Sequence, residues 1–316
     1  MTSSTALLKT PKVLSLVKPD NQNLKPSVLF WRQRWLLIKA ATGPISVGAR
    51  RRLVDSLPAL KNQQWSEACL RRSSIKAVRI DMQLGEETLN SWATACLHTG
   101  KRIFVHLPAA TRLPKIRAPL AWGFKRLADW TIAASLLAIL SPLFLLLALL
   151  VRLDSPGPIF FRQWRIGYRG ELFQILKFRT MCVDAEKLHH QVMGQQSGIH
   201  KLKRDPRMTS VGRWLRKYSL DELPQLVNVL RGEMSLVGPR PWAIYDAVRL
   251  ESGFQGRLNA LPGMTGAWQV TKRSNNCDLS SVIQIDLDYL QRWTVRRDLM
   301  FLLRTVPKVI SGFGAY

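Results

Sequence analysis

The chain has 316 residues, enough for about two domains, and its 47 lysines and arginines against 21 aspartates and glutamates give a net charge of +26. Such an excess of positive charge indicates a polyanionic partner, which could be nucleic acid, an anionic membrane surface or a phosphorylated substrate. The four cysteines lie far apart without a C-x-x-C pair, which argues against a zinc knuckle or a disulfide framework and fits a reducing cytoplasmic setting.

The N-terminal third is predicted to be a separate part of the protein. Residues 1–27 are rich in Ser, Thr, Pro, Asn and Lys and read as a flexible leader, without the apolar run of a secretion signal, so the N terminus is expected to stay inside. Residues 28–119 are predicted to form a small α/β module of unknown role, which ends in a basic, proline-rich linker.

The module's pattern is a strand, a helix and a second strand. Val78, Ile80 and Met82 alternate as in a strand, and helical spacing follows from Leu89, with Gly100 as the expected C-cap. The apolar run 103–107 is the second strand.

The 22 residues between Asp129 and Arg152 carry no formal charge, and a straight helix of that length would just span a hydrocarbon layer of roughly 30 Å. A spanning helix is therefore one interpretation. Ser141-Pro142 at the midpoint favours another, because proline bends a helix, and basic residues flank both ends, which favours the cytoplasm for both. We predict a helix-break-helix at about 130–151 that enters and leaves one leaflet, with Ser141 or neighbouring chain covering the freed carbonyl groups.

The most informative polar stretch contains the adjacent carboxylates Asp221 and Glu222, shortly after Arg216 and Lys217. One interpretation is structural, because Ser219-Leu-Asp-Glu222 matches the S-x-x-E capping box at the start of a helix. The pair alone is therefore a weak signal for chemistry.

Pro224 weakens the capping-box interpretation, because the residue before a proline is pushed away from helical dihedrals. The helix is then predicted to begin around Leu223 or Pro224, with both carboxylates at its N terminus, where its dipole is expected to lower a carboxylate pKa. An ionised aspartate beside arginines can attack phosphorus or hold a divalent cation.

Three further motifs surround this pair in the sequence. Gly167 and Gly170 flank a predicted hairpin turn, and the following strand carries Lys177 and Arg179. Downstream lie two predicted rigid turns, 238–241 and 262–266, of which the first offers Arg240 as a bidentate phosphate ligand. A salt bridge or a solvated position is the alternative for Arg240 by itself.

Residues from about 125 to the C terminus resemble the bacterial sugar transferase family, the monotopic phosphoglycosyl transferases that begin the assembly of surface polysaccharides and glycoconjugates. The resemblance covers roughly three-fifths of the chain. Its motifs are Lys125-Arg-Leu-Ala-Asp129, Ser141-Pro142, Lys177-Phe-Arg-Thr-Met181, Ser219-Leu-Asp-Glu-Leu-Pro224, Gly238-Pro-Arg-Pro241 and Pro262-Gly-Met-Thr-Gly266.

The resemblance implies an α+β fold, with residues 120–316 as a mostly helical catalytic domain that contains the re-entrant helix-break-helix and a small β-hairpin. It implies that Asp221 forms a phosphosugar-enzyme intermediate, that Asp221 and Glu222 hold Mg²⁺, and that Arg216 holds phosphate, with Lys177 and Arg179 supplementing it. Arg273 corresponds to a nucleotide-binding arginine, although Lys272-Arg-Ser274 stands where relatives often have Gly-Arg-Asn.

The expected reaction moves a hexose 1-phosphate from a UDP-sugar to polyprenyl phosphate and releases UMP, at the cytoplasmic face of the inner membrane. The expected partners are these substrates and membrane lipids, not nucleic acid, and homo-oligomerisation stays open. Two alternatives also stay open. One is a membrane-anchored basic module that binds nucleic acid or anionic lipid without catalysis. The other is a spanning glycosyltransferase with Asp286-Leu-Asp288 as a D-x-D metal motif, although helical spacing favours a structural role for that motif.

Overall fold

The computed structural model describes residues 14–17, 27–32, 35–40, 53–55, 63–108, 114–183, 185, 205–250, 252–271 and 279–311. The strands are β1 (Leu14–Val17), β2 (Ser27–Arg32), β3 (Trp35–Ala40), β4 (Leu53–Asp55), β5 (Ala77–Ile80), β6 (Arg102–Val105), β7 (Phe160–Ile166), β8 (Leu172–Phe178), β9 (Ser235–Val237) and β10 (Gly263–Thr265). The helices are α1 (Gln63–Arg71), α2 (Glu86–His98), α3 (Pro114–Arg117), α4 (Pro119–Ile139), α5 (Ser141–Asp154), α6 (Ser210–Lys217), α7 (Gln225–Leu230), α8 (Ile244–Ala247), α9 (Ala267–Thr271), α10 (Leu279–Gln291) and α11 (Val295–Ser311).

The chain divides into two compact units, which mix helix and strand as predicted. The N-terminal unit consists of Met1–Pro108, Trp164–Phe173 and Trp242–Gln255. The C-terminal unit consists of Ala109–Gln163, Gln174–Pro241 and Gly256–Tyr316. The placement of the domain boundary near residue 119 stays a prediction.

The N-terminal unit is built on a six-stranded sheet with the order β4-β1-β2-β3-β5-β6. Its strands β5 and β6 are parallel, and α2 connects them, which confirms the predicted order of strand, helix and strand. The prediction is wrong for Met82, because β5 ends at Ile80 and Met82 begins a 3₁₀ turn. Gly100 follows the end of α2 with a φ of 65°, a left-handed conformation that glycine adopts without strain. The core is apolar, with Leu36, Ile38, Val78, Ile80, Leu89 and Trp92 fully buried.

The sheet also contains β1, which lies in the segment predicted to be a flexible leader. That prediction is wrong for Leu14–Val17, because this short run pairs with β2 on one side and with β4 on the other. The rest of the predicted leader up to residue 26 lies outside the described residues.

The turn between β7 and β8 belongs to the N-terminal unit and lies against β6. The guanidinium of Arg102 donates from Nε and Nη2 to the two carboxylate oxygens of Glu171, at 2.6 Å each. Gly170 has a φ of 80°, and a Cβ at this position would lie 2.7 Å from the carbonyl oxygen of Val105. Glycine is required here both by the dihedral and by the close approach of β6. The predicted hairpin with Gly167 and Gly170 at its turn is confirmed.

Helices α4 and α5 of the C-terminal unit form a bent pair. In the described part of the chain no single helix has the length and apolar composition to cross a membrane, while α4 and α5 pass that test together and are bent by 65°. The break falls beside Ser141-Pro142, as predicted, and the Ser141 hydroxyl donates to the carbonyl oxygen of Ala138 at 2.8 Å. The serine therefore satisfies one of the carbonyl groups that the break leaves without a helical partner.

The N-terminal half of α4 is bound to the rest of its unit by buried ion pairs and hydrogen bonds. Lys125 and Asp129 are 5% and 4% exposed, and the Lys125 ammonium lies 2.6 Å from the carboxylate of Asp298 on α11. Asp129 accepts from the hydroxyl of Ser235 on β9 at 2.7 Å. These contacts join the bent pair to the part of the chain that leads into Gly238–Pro241.

Strands β9 and β10 form a second, parallel pair. The segment 262–266 was predicted to be only a rigid turn, and that prediction is wrong for Gly263–Thr265, because these residues pair with β9. A Cβ on Gly263 would collide with the backbone nitrogen of Gly238. The glycines are therefore required by the close approach of the two backbones.

Candidate active site

The two predicted catalytic carboxylates lie in the sharp turn between α6 and α7. Ser219 begins this turn in the left-handed conformation, with φ 54° and ψ 22°, and a single 3₁₀ turn covers Leu220–Glu222. Non-glycine residues adopt such dihedrals rarely, so surrounding packing must hold Ser219 in place. The capping-box interpretation is wrong, because the Ser219 side chain makes no capping hydrogen bond. Helix α7 begins at Gln225 with Pro224 as its N-cap, close to the predicted start.

Glu222 is held by two cations from distant parts of the chain. Its Oε1 accepts from the Lys177 ammonium at 2.7 Å and from Nη2 of Arg240 at 3.1 Å. Lys177 lies on β8, and Arg240 follows β9. The structure places Arg240 on this carboxylate, and its role as a phosphate ligand stays a prediction.

Asp221 is buried, but unlike Glu222 it is not hydrogen-bonded to the cations. Its side chain is 7% exposed, and it makes no hydrogen bond to another residue in the described ranges. The charges that act on it are those of Lys177, Arg216, Arg240 and its neighbour Glu222. The adjacent carboxylates therefore face the same cations, but only Glu222 is engaged by them through hydrogen bonds.

Burial and charge shift the two carboxyl groups in opposite directions. Burial raises the pKa of Asp221 to about 6, and Glu222 adds to this effect while the cations, Lys177 first, oppose it. Burial would also raise the pKa of Glu222, but Lys177 and Arg240 outweigh it and lower that pKa well below its usual range. The pKa of Glu222 is thus lowered by Lys177 and Arg240 and not by the predicted helix dipole, and the prediction of a lowered pKa is wrong at Asp221, because desolvation dominates there.

Arg216 lies at the end of α6, five residues before Asp221. Its Nε donates to the hydroxyl of Thr180 at 3.0 Å, and its Nη1 lies 3.7 Å from the sulfur of Met208. In the described part of the chain, no residue binds its Nη2. The guanidinium is thus fixed at one end, with donor capacity left for an anion.

The structure does not bring Arg179 to the carboxylates. Its guanidinium donates to the hydroxyl and the carbonyl oxygen of Ser155, at 3.0 and 2.6 Å, and to the carbonyl oxygen of Pro156 at 2.8 Å. Lys177 and Arg179 are two positions apart, but Arg179 binds the residues that directly follow α5 and not Glu222. Arg273 lies outside the described residues, so its nucleotide-binding role stays a prediction.

Two polar residues that the sequence analysis left unassigned contribute to the site. Thr180 orients Arg216, and Asn228 on α7 contacts the backbone of β8. A buried asparagine within the apolar run 226–230 was the available signal for the second. Thr180 stands in the motif Lys177-Phe-Arg-Thr-Met181, and that position was the available signal for it.

The oxygens of the two carboxylates can be compared with the ligands of the predicted magnesium site. No cluster of three or more His, Cys, Asp or Glu that could hold a metal occurs within the described ranges. Mg²⁺ is usually bound by one or two carboxylates together with substrate phosphates and water. Asp221, without a hydrogen bond to the described residues, and Glu222, which uses only Oε1 for its two cations, fit that donor set.

Asp286 and Asp288 are both engaged in ion pairs with arginines. Asp286 is fully buried and paired with Arg257, and Asp288 is paired with Arg292 and Arg297. Arg257 binds Oδ2 of Asp286, whose other oxygen is buried, and Arg292 and Arg297 bind the two oxygens of Asp288. The structural interpretation of these aspartates is confirmed.

The described site places adjacent carboxylates among several cations, beside a bent apolar helix pair, which suits an enzyme that acts on phosphorylated substrates. The sequence profile described as bacterial sugar transferase matches residues 120–312, and the chain belongs to this family.

Individual relatives are similar over the same region. The exopolysaccharide production protein ExoY of Sinorhizobium fredii is 40% identical over 206 residues, which cover 63% of this chain and 90% of ExoY. The UDP-glucose:undecaprenyl-phosphate glucose-1-phosphate transferase of Caulobacter vibrioides is 44% identical, over 65% of this chain and 75% of the relative. The undecaprenyl-phosphate galactose phosphotransferase of Salmonella typhimurium is 40% identical, over 68% of this chain and 46% of the relative.

Proposed function

We propose that this chain transfers a hexose 1-phosphate from a UDP-sugar to polyprenyl phosphate, with undecaprenyl phosphate as the lipid, in the first membrane step of exopolysaccharide or glycoconjugate assembly. The observation that carries the proposal is the position of Asp221, buried beside Glu222 and facing Lys177, Arg216 and Arg240. The names of the relatives support both the lipid acceptor and the sugar phosphate. The family supports the reaction class.

In the first half-reaction, a carboxylate oxygen of Asp221 attacks the phosphorus that bears the sugar. A bond forms between this oxygen and phosphorus, the bond from phosphorus to the bridging oxygen breaks, and UMP leaves with that electron pair. Asp221 is suited to the attack because it is not engaged by a hydrogen bond to the described residues. Glu222 keeps Lys177 and Arg240 in place, where they stabilise the charge that builds on the phosphoryl oxygens.

In the second half-reaction, a phosphate oxygen of the polyprenyl phosphate attacks the same phosphorus. The bond to Asp221 breaks, the carboxylate is restored, and the lipid carries the sugar on a diphosphate. Arg216 is placed to hold a phosphate in both steps, because its Nε is fixed on Thr180 while Nη2 has no partner in the described part of the chain. The reaction is therefore expected to be ping-pong.

Asp221 and Glu222 would hold Mg²⁺ together with the substrate diphosphate. The cation would neutralise the negative charge of the diphosphate, which otherwise repels an anionic nucleophile. The three basic side chains of the site share this task.

We also propose that α4 and α5 enter and leave the cytoplasmic leaflet of the inner membrane. The bend of 65° and the hydroxyl bond of Ser141 support this placement. Large apolar side chains on the pair are exposed, which would be unfavourable in water. These are Leu120, Phe124, Leu127, Ile139, Leu145, Leu146, Leu149 and Leu153. Re-entry would keep the carboxylates at the lipid boundary, where an acceptor phosphate lies.

The direct test of the reaction is the identity of the nucleotide product. Purified protein in vesicles that contain undecaprenyl phosphate is incubated with labelled UDP-glucose or UDP-galactose and Mg²⁺. We expect UMP and a lipid-linked sugar diphosphate. Release of UDP would show ordinary glycosyl transfer and would contradict the proposal.

The membrane placement is tested separately by labelling termini. Cysteine tags at Met1 and Tyr316 in a variant without its native cysteines are probed with an impermeant thiol reagent from each side. We expect both tags to react from the cytoplasmic side only. Labelling from opposite sides would establish a spanning segment.

A further inference from the structure

The buried amide of Asn228 connects the helix after the carboxylates with the strand that carries Lys177. Asn228 lies on α7 and is 0% exposed. Its Oδ1 accepts from the backbone nitrogen of Leu176 at 2.9 Å, and its Nδ2 donates to the carbonyl oxygen of Gln174 at 2.8 Å. Residues two apart on a strand point their backbone groups to the same edge. The amide therefore pairs with β8 as a short piece of a third strand would.

This contact is one of two that connect α7 and its preceding turn with β8. Lys177 follows Leu176 directly and donates to Glu222, which lies six residues before Asn228. Helix α7 and strand β8 are thus fastened at two points, by the amide of Asn228 and by the ion pair of Glu222. Without the first contact, the ion pair alone would have to set the distance between the strand and the turn.

Asn228 also shapes the segment that supplies Arg240. Its carbonyl oxygen accepts from the backbone nitrogens of Glu233 and Met234, at 3.0 and 3.3 Å. Its Nδ2 donates in addition to Glu233 Oε2 at 2.6 Å. These bonds define the turn from α7 into β9, and Arg240 follows that strand to reach Glu222. The two bonds to the carbonyl oxygen remain when the side chain is substituted, so the amide itself acts on the site chiefly through β8 and Lys177.

We propose that Asn228 is a positioning residue of the transferase site, which sets Lys177, and with it Glu222, in the geometry that the attack of Asp221 requires. This inference rests on the proposed function. It assigns to Asn228 no contact with substrate. Its effect on catalysis passes through Lys177, because misplacement of a catalytic group by about 1 Å can cost roughly 100-fold in rate.

The test is a double-mutant cycle on UMP release by the full-length protein in nanodiscs. Asn228→Ala is measured alone and in a Lys177→Ala background. We expect kcat to fall about 30-fold to 100-fold in the first case, with the KM for the UDP-sugar changed less than about threefold. In the Lys177→Ala background the same substitution should cost less than about threefold, because the group that Asn228 positions is gone. Equal losses in both backgrounds would overturn the inference.

Val229→Ala is the matched control, because Val229 is the next residue on the same helix and is equally buried. We expect it to lower the thermal unfolding midpoint while kcat stays within about threefold of the unsubstituted chain. A kcat loss as large as that of Asn228→Ala would mean general loosening of the helix and would overturn the inference.

Asn228→Asp is the second variant; it keeps the acceptor for Leu176 but turns an oxygen toward the Gln174 carbonyl and the Glu233 carboxylate, so we expect a kcat at least as low as that of Asn228→Ala. Failure of both Asn228 variants to fold would assign the residue a structural role alone and overturn the inference. Wild-type kcat in Asn228→Ala would overturn this inference and leave the proposed function standing. Absence of UMP from the unsubstituted protein would overturn the proposed function and this inference with it.

Discussion

In the described part of the C-terminal unit, the carboxylates Asp221 and Glu222 and the carboxylates Asp286 and Asp288 both lie among arginines or lysines, and their arrangements differ. Asp286 has a dedicated buried partner in Arg257, and Asp288 is shared by two arginines at the surface. At the other pair, Lys177 and Arg240 both bind Oε1 of Glu222, so that Asp221 is surrounded by positive charge without being bonded by it. Asp286, which is paired with Arg257, therefore has a structural role. Asp221 lies next to cations that bind Glu222, so its carboxylate oxygens are not used in such a pair.

The largest effect is expected from Asp221→Asn, which removes the nucleophile and little volume. We expect UMP release to fall by more than about 1,000-fold, because an amide cannot form the covalent intermediate. Membrane association should be unchanged. The control is Asp288→Asn, which should retain turnover within about twofold. Turnover retained by Asp221→Asn would remove Asp221 from the nucleophile role.

The next effect is on the free energy of unfolding. Here we expect the larger loss at Asp286 and not at Asp221. Asp286→Asn leaves the buried guanidinium of Arg257 without its counter-ion, which is expected to cost about 3 kcal/mol in the free energy of unfolding. Asp288→Asn at the exposed pair should cost less than about 1 kcal/mol. Thermal unfolding in detergent measures both. Equal losses would show that Asp286 is not a structural partner of Arg257.

A smaller effect is expected from the raised pKa of Asp221. In the folded state the carboxyl group of Asp221 has a pKa of about 6, above the ordinary value of 3.8. The protonated carboxyl group therefore contributes fully to the stability of the folded state below about pH 4, and this contribution is lost as the pH rises through 6. Asp221→Asn should therefore be more stable than the unsubstituted chain at pH 8, by on the order of 2 kcal/mol, and the difference should vanish near pH 4.

The measurement is the difference in unfolding midpoint between the two proteins from pH 4 to pH 8, with EDTA present because a bound divalent cation would favour the ionised carboxylate. Taking the difference cancels the titration of the other carboxyl groups. A variant less stable than the unsubstituted chain at pH 8 would show that burial does not dominate at Asp221.

Local features of the site and the fold could be predicted from the sequence. The break beside Ser141-Pro142, the hairpin turn at Gly167 and Gly170, and the start of α7 near Pro224 follow from the restricted dihedrals of proline and the freedom of glycine. Such preferences act within a few residues, so a single sequence reveals them. The sequence does not predict the strand at Leu14–Val17, because these four residues are held in the sheet by pairing with β2 and β4 and not by a local preference.

The sequence by itself determined which residue types are available for phosphoryl transfer and where the chain bends. Only the tertiary structure decided how they are used: that Lys177 and Arg240 meet on Glu222, that Arg179 turns to Ser155, and that Asn228 bonds to β8. The opposite pKa shifts of two neighbouring carboxyl groups follow from that assembly. Burial and partner choice depend on segments far apart in the chain, and no local preference encodes them.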